Sequence, residues 1–284
     1  MDEDKDWKRK YQELFPDVKT VTTSKKVRDI TKMALMMVDG EAGATEQTNQ
    51  LSNFTLPLMD KVQILLKYIK FEELKQMKPD IRKKVEAGEV FARQENQYDL
   101  NYSRLSLDNG RLLLHCLQNQ PPPHVAITLP VSEIIKTLNP KSTITFLDMA
   151  GEGLTRGRVY IRVSKNTTQA RQFVGLCTGQ PGSSFLNTRL NRVWDKGGKE
   201  ECVYGGNYNF NDNRIYGPYT GVGTVSFKSD SEKSGQFCIS TDIYCAFGAA
   251  IGQVESGLEV LKAAVQLRDI TQVTVVDCGV VVPL

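Results

Sequence analysis

Six cysteines and two histidines are the side chains here best suited to hold a metal or to attack a substrate. The cysteines are Cys116, Cys177, Cys202, Cys238, Cys245 and Cys278; the histidines are His115 and His124. No two cysteines form a C-x-x-C pair and no spacing fits a tetrahedral zinc site, so no metal and no cofactor are expected. The cysteines read as small core hydrophobes. Free thiols without a secretion signal point to a reducing compartment, cytosol or nucleus. The basic cluster Arg82-Lys83-Lys84 reads as a solvated helix face. The stretch from Tyr204 to Tyr216, rich in tyrosine and asparagine, offers rigid aromatic area and adaptable hydrogen bonds for a protein or peptide partner.

Charge narrows the classes further. Lysine and arginine number 36 against 33 acidic residues, a net charge of +3. That near-balance argues against a nucleic-acid partner and gives no electrostatic case for a membrane surface. No apolar run approaches the roughly 20 residues a spanning helix needs. The opening MDEDKDWKRK is too charged for a signal peptide.

The elements that must carry these residues fall into two groups. Trp7, Tyr11, Leu14 and Phe15 share one helical face, and Pro16 stops that helix. Ser24 caps a second helix through Val27, Ile30, Ala34 and Met37. Pro57 opens a third and Pro79 a fourth, the last running through Ile81, Val85 and Val90 to about Gln94. Tyr102 to Leu107 and Arg111 to Gln118 flank Asp108-Asn109-Gly110, a hairpin signal. Pro121-Pro122-Pro123 reads as a linker, and Val131 to Leu138 as a short helix. From Ser142 onward short strands dominate, with helices expected at Thr168–Cys177 and Ser256–Leu267.

In that second half the sequence resembles the cyclophilin-type peptidyl-prolyl isomerases. Gly157-Arg158-Val159 matches the family's G-R-V strand, and Phe173 to Gly179 its N-F-x-x-L-C-T-G helix end. Leu190-Asn191-Arg192-Val193 stands for F-H-R-[IV], Tyr204 to Tyr208 for Q-G-G-D-F, and Tyr219 to Gly223 for H-T-G-P-G. Ser234 to Phe237 matches G-S-Q-F, Gly252 to Leu258 the G-x-V-x-x-G segment, and Val273 to Gly279 the closing V-x-I-x-D-C-G strand. Each motif is weak alone; eight in order over one half of the chain are not. The first half resembles no family.

The resemblance implies a fold and a site. The fold expected is α+β: a mostly helical N-terminal region with a β-hairpin over 1–120, a linker over 121–141, and a closed antiparallel cyclophilin-like β-barrel with two capping helices over 142–284. Family enzymes lower a barrier of roughly 20 kcal/mol to rotation about an X-Pro bond. They do so with a guanidinium near the proline nitrogen, which favours the twisted state over either planar one, and a greasy slot for the ring.

Carried over by position, the catalytic arginine falls on Arg192 and the substrate-holding glutamine on Gln236. The rest departs from the pattern. The phenylalanine and methionine before Q-G-G fall on Glu201 and Cys202, the glutamine of Q-G-G on Tyr204, and the slot's floor phenylalanine at or near Cys238. The family's tryptophan and histidine fall near Ile243 and Gly248, and its histidine beside the arginine on Asn191. At roughly 25 cal/mol per Å², losing two aromatic walls weakens proline binding by a few kcal/mol. Glu201 is expected in or beside the slot, where it would cost desolvation or engage Arg192.

The expectation is therefore a non-catalytic scaffold or adaptor binding a protein or peptide through Arg192, Glu201, Tyr204, Tyr208, Gln236 and Cys238. Its alternative is an active isomerase with an atypical pocket. Self-association through the N-terminal helices is a further expectation, from the apolar groups Trp7/Tyr11 and Met33–Met37. The bare first half also fits a chain that is a piece of a longer protein.

Overall fold

The computed structural model describes residues 71–95, 100–120, 122, 126–139, 141–164, 166–208, 221–242 and 249–284. The first two expected helices, with Trp7, Tyr11 and Met33–Met37, and the third up to residue 70, lie outside the described residues; Phe71, the third's last expected apolar residue, is described and helical. Ile243, Gly248 and the Tyr204–Tyr216 stretch beyond Tyr208 also lie outside the described residues.

Lys70–Pro122 and Leu129–Leu284 form one compact unit. The described chain opens with two short helices, α1 (Phe71–Lys75) and α2 (Pro79–Glu86), then strands β1 (Val90–Glu95), β2 (Leu100–Asp108), β3 (Arg111–His115) and β4 (Ile127–Pro130). Helix α3 (Val131–Ile135) leads to β5 (Thr143–Gly151), β6 (Leu154–Val163), α4 (Thr168–Thr178), β7 (Leu190–Trp194) and β8 (Cys202–Gly206). Strands β9 (Thr224–Ser231), β10 (Ser234–Ser240) and β11 (Ala249–Ser256) precede α5 (Leu258–Gln266), and β12 (Thr274–Val282) ends the fold. No described helix is long and apolar enough to cross a membrane.

The expected architecture needs correction. A mostly helical N-terminal region is not found among the described residues: beyond the short α1 and α2, the elements from Val90 to Pro130 are all strands. The fourth expected helix stops at Glu86, because Gly88 turns the chain at φ +73° and Val90–Glu95 leaves as β1. Nor is the barrel closed. All twelve strands join one sheet in the order β4-β1-β2-β3-β12-β5-β6-β11-β9-β10-β8-β7, with every neighbouring pair from β1 to β7 antiparallel.

The reason lies in β12. Its Gly279–Val282 half pairs with His115–Leu112 of β3, so that edge is taken. The segment leading into β7 meets β12 in an isolated bridge, Arg189 to Thr274, with bonds from Asn187 N to Val275 O, Val275 N to Thr188 O and Leu190 N to Val273 O at 2.7–2.9 Å, and no ladder continues along β7. The β2–β3 hairpin is thus part of the main sheet. Its turn is the expected one, with Asn109 and Gly110 at φ +49° and +77°, the left-handed pair a two-residue hairpin requires.

The inner face of the sheet wraps one core. Phe173 of α4, Phe185, Phe227 of β9 and Phe237 of β10 are fully buried, their ring centroids 5.3–6.3 Å apart in mostly edge-on contacts. That is the geometry aromatic quadrupoles favour. Helix α4 starts where the Thr167 side chain accepts from Ala170 N and stops at left-handed Gly179; it buries Ala170, Phe173, Leu176 and Cys177. Helix α5 buries Leu261, Ala264 and Val265.

Candidate functional site

Strands β7, β8 and β10 bring together most of the residues expected to bind. The register sets Arg192 opposite Tyr204, and Tyr204 opposite Cys238, one row across three strands. The next row holds Trp194, Cys202 and Ser240. Tyr204, Cys202 and Cys238 are buried together, with Trp194 packed against them.

Tyr204 is the centre of this row. Its ring is only 3% exposed. The Arg192 guanidinium carbon lies 4.4 Å from that ring's centroid and 6.0 Å from Trp194's, a cation held over aromatic faces. Cys238 was expected to leave the slot without an aromatic floor. In the structure Cys238 packs against the Tyr204 ring of the neighbouring strand. Burial, reinforced by Cys238, pushes the Tyr204 hydroxyl well above its ordinary pKa, against a smaller opposing pull from Arg192. Burial likewise pushes the Cys238 thiol up to about 12, despite its bond with Tyr204 and the Arg192 charge. Both groups stay neutral at physiological pH.

The other expected residues divide. Gln236, fully buried on β10, sits opposite Gly206. Gly206 needs φ +126°, and a Cβ there would strike the Gly235 carbonyl, so the second glycine of the pair is structural. Glu201 serves the β7–β8 turn: its carboxylate accepts from Gly197 N at 2.8 Å and Thr241 Oγ1 at 2.7 Å. Tyr208, 41% exposed, stands just past β8. Next to it Asn207 turns inward, accepting from Gly235 N at 2.9 Å and donating to Lys233 O at 2.8 Å. Cys116, Cys177, Cys238 and Cys278 are free and buried, whereas Cys202 is disulfide-bonded, a departure from the all-thiol expectation.

Another polar constellation, on β2, β3, β5, β6 and β12, was missed in the sequence. Arg158 of the G-R-V motif binds both oxygens of Asp148, at 2.5 and 2.9 Å, and Asp108 at 2.7 Å. Tyr160 donates to the same Asp108 at 2.7 Å. Neighbouring Asp277 of the D-C-G motif pairs with His115. His115 had been weighed only as a zinc ligand. No local signal joins these residues, because only the β3–β12 ladder places His115 beside Asp277.

The segments that carry the family resemblance fall in order on β6, α4, β7, β8, β10, β11 and β12. Among solved structures, the chain is similar to the crystal structure of the Mimivirus cyclophilin, at 16% identity and a TM-score of 0.38, over 50% of this chain and 91% of that one. No protein-family model and no curated relative matches the sequence.

Proposed function

We propose that the β7–β8–β10 face is a cyclophilin-type cleft that no longer turns over proline peptides and instead binds a protein or peptide as a scaffold. The observation that carries this reading is the buried Tyr204 ring set between Arg192 and Cys238. Isomerisation needs the guanidinium to face the substrate's proline nitrogen across an open apolar slot. Here the guanidinium already lies on an aromatic face, and moving it to a substrate forfeits roughly 0.5–2 kcal/mol of cation–π attraction. Arg192 and exposed Tyr208 remain as contact groups at the edge of the same strands. Arginine and tyrosine are the side chains that most often anchor such interfaces.

Retention of arginine and glutamine at the matching positions, Arg192 and Gln236, favours a second reading, an isomerase with an atypical pocket. It requires the Tyr204 ring to swing out of its buried site.

Panning a random peptide library against the whole chain tests the binding claim. The expected ligands bind without needing proline and lose roughly tenfold or more in affinity, the size of one interface anchor, on Arg192→Ala or Tyr208→Ala, with circular dichroism unchanged. Ligands indifferent to both substitutions would remove the cleft as the binding surface.

A further inference from the structure

Ser106, His115 and Asp277 come from three successive strands of the sheet, β2, β3 and β12. Ser106 pairs with Leu113, two residues from His115, and His115 pairs with Gly279, two residues from Asp277. Side chains two apart on a strand share a face, so all three point to the side away from the aromatic core. Ser106 Oγ lies 2.7 Å from His115 Nε2, and His115 Nδ1 lies 2.9 and 3.1 Å from the two carboxylate oxygens of Asp277.

The arrangement has a direction. With Asp277 accepting from Nδ1–H, the neutral ring leaves Nε2 as an acceptor aimed at the Ser106 hydroxyl. The ring is locked edge-on against Phe146 at 5.4 Å, and His115 is 3% exposed. Burial alone would raise the Asp277 pKa, but the bond from His115 and the nearby Arg104 charge hold it below the usual carboxylate value. Ser106 is half-buried, and with His115 and Asp277 it lines a cavity of about 600 Å³ that the end of α2 walls at Glu86. Arg104 and Arg156 line the same cavity, each with Nη2 3.8 Å from Asp277. Asp148, also in its wall, is held by both Arg156, at 2.7 Å, and Arg158, and Asp108 by Arg158.

We propose that Ser106, His115 and Asp277 are a nucleophile, a general base and its orienting carboxylate, which cleave a small acyl ester bound in this cavity. Ser106 Oγ bonds to the acyl carbon while its proton passes to His115 Nε2. The ester C–O bond then breaks, and His115 returns that proton to the departing alcohol. Water adds to the acyl-serine, giving its proton to His115. The acid leaves, and Ser106 recovers a proton from His115. The Arg104 guanidinium, half-exposed in the same cavity, supplies positive charge where the carbonyl oxygen becomes anionic, while Arg156 stays bonded to Asp148. None of these residues lies on the cleft strands, so the proposal stands apart from the peptide-binding reading.

Labelling the whole chain with a fluorophosphonate and mapping the adduct by peptide mass spectrometry is the test. The expected result is one adduct, on Ser106, formed by the folded chain and not by the denatured one. Labelling should vanish in Ser106→Ala and slow roughly 100-fold or more in His115→Gln, the range of a lost general base. Asp277→Asn is the second probe should His115→Gln fail to fold. No adduct on the folded chain, an adduct on another residue, or equal labelling after denaturation would reduce the trio to a polar tie between strands and overturn the proposal.

Discussion

The Tyr204 ring is buried beneath the Arg192 guanidinium, its centroid 4.4 Å from the guanidinium carbon. Removing a fully packed aromatic ring costs about 3–5 kcal/mol, so Tyr204→Ala should lower unfolding free energy by about 3 kcal/mol in denaturant titrations. Loss below about 1 kcal/mol would mean the ring is not packed as described. Cys238 gives a pH signature. Its thiol is raised from the ordinary 9.0 to about 12 in the folded chain, so the fold holds the proton more tightly than the unfolded state does. Its contribution is fully present below about pH 9 and is lost as pH rises toward 12. Wild-type stability should therefore fall more steeply than that of Cys238→Ala above pH 9; parallel curves would contradict the assignment. At this scale the sequence singled out Arg192, Tyr204 and Cys238 one by one, and the structure puts them in one row. It did not carry the burial of Tyr204, because one strand's pattern cannot show which neighbours pack against its ring. Ser106 and His115 are 9 positions apart, but His115 and Asp277 are 162 apart, and only the β3–β12 ladder joins them.

Elements were more legible where local chemistry decides them. Asn109-Gly110 gave the hairpin, and Thr167 with Gly179 bounds α4. The helix expected through Val90 stops early because Gly88, at φ +73°, turns the chain out of it, and Val90, five residues after Val85, is off that helical face. The glycine pair after Tyr204 yields a direct test. Gly206 sits at φ +126° with a backbone carbonyl where a Cβ would go. Gly206→Ala should cost about 2 kcal/mol, the range of a strained backbone position, whereas Gly182→Ala, strained in φ but in open space, should cost less. Thermal melts of the two variants would separate them, and equal losses would contradict the clash.

Across the molecule, strand order was the least legible property. Strand-forming residues from Ser142 onward were readable as such, but nothing local announces that β3 adds to the free half of β12. That ladder ties residues near 113 to those near 280, so the hairpin contributes to the main sheet. A chain cut to residues 142–284 should expose the β12 edge, melt several degrees lower than the whole chain and associate through the open strand. An unchanged melting temperature and a monomeric mass by light scattering would show the hairpin to be dispensable. For the same reason, catalysis is best measured on the intact protein.

The most direct measurement is two-dimensional exchange NMR on an X-Pro peptide with the whole chain at high concentration. A silent cleft predicts no exchange cross-peaks between the cis and trans forms above the uncatalysed background. Catalysed exchange that disappears with Arg192→Ala would contradict it and make the cleft a working isomerase.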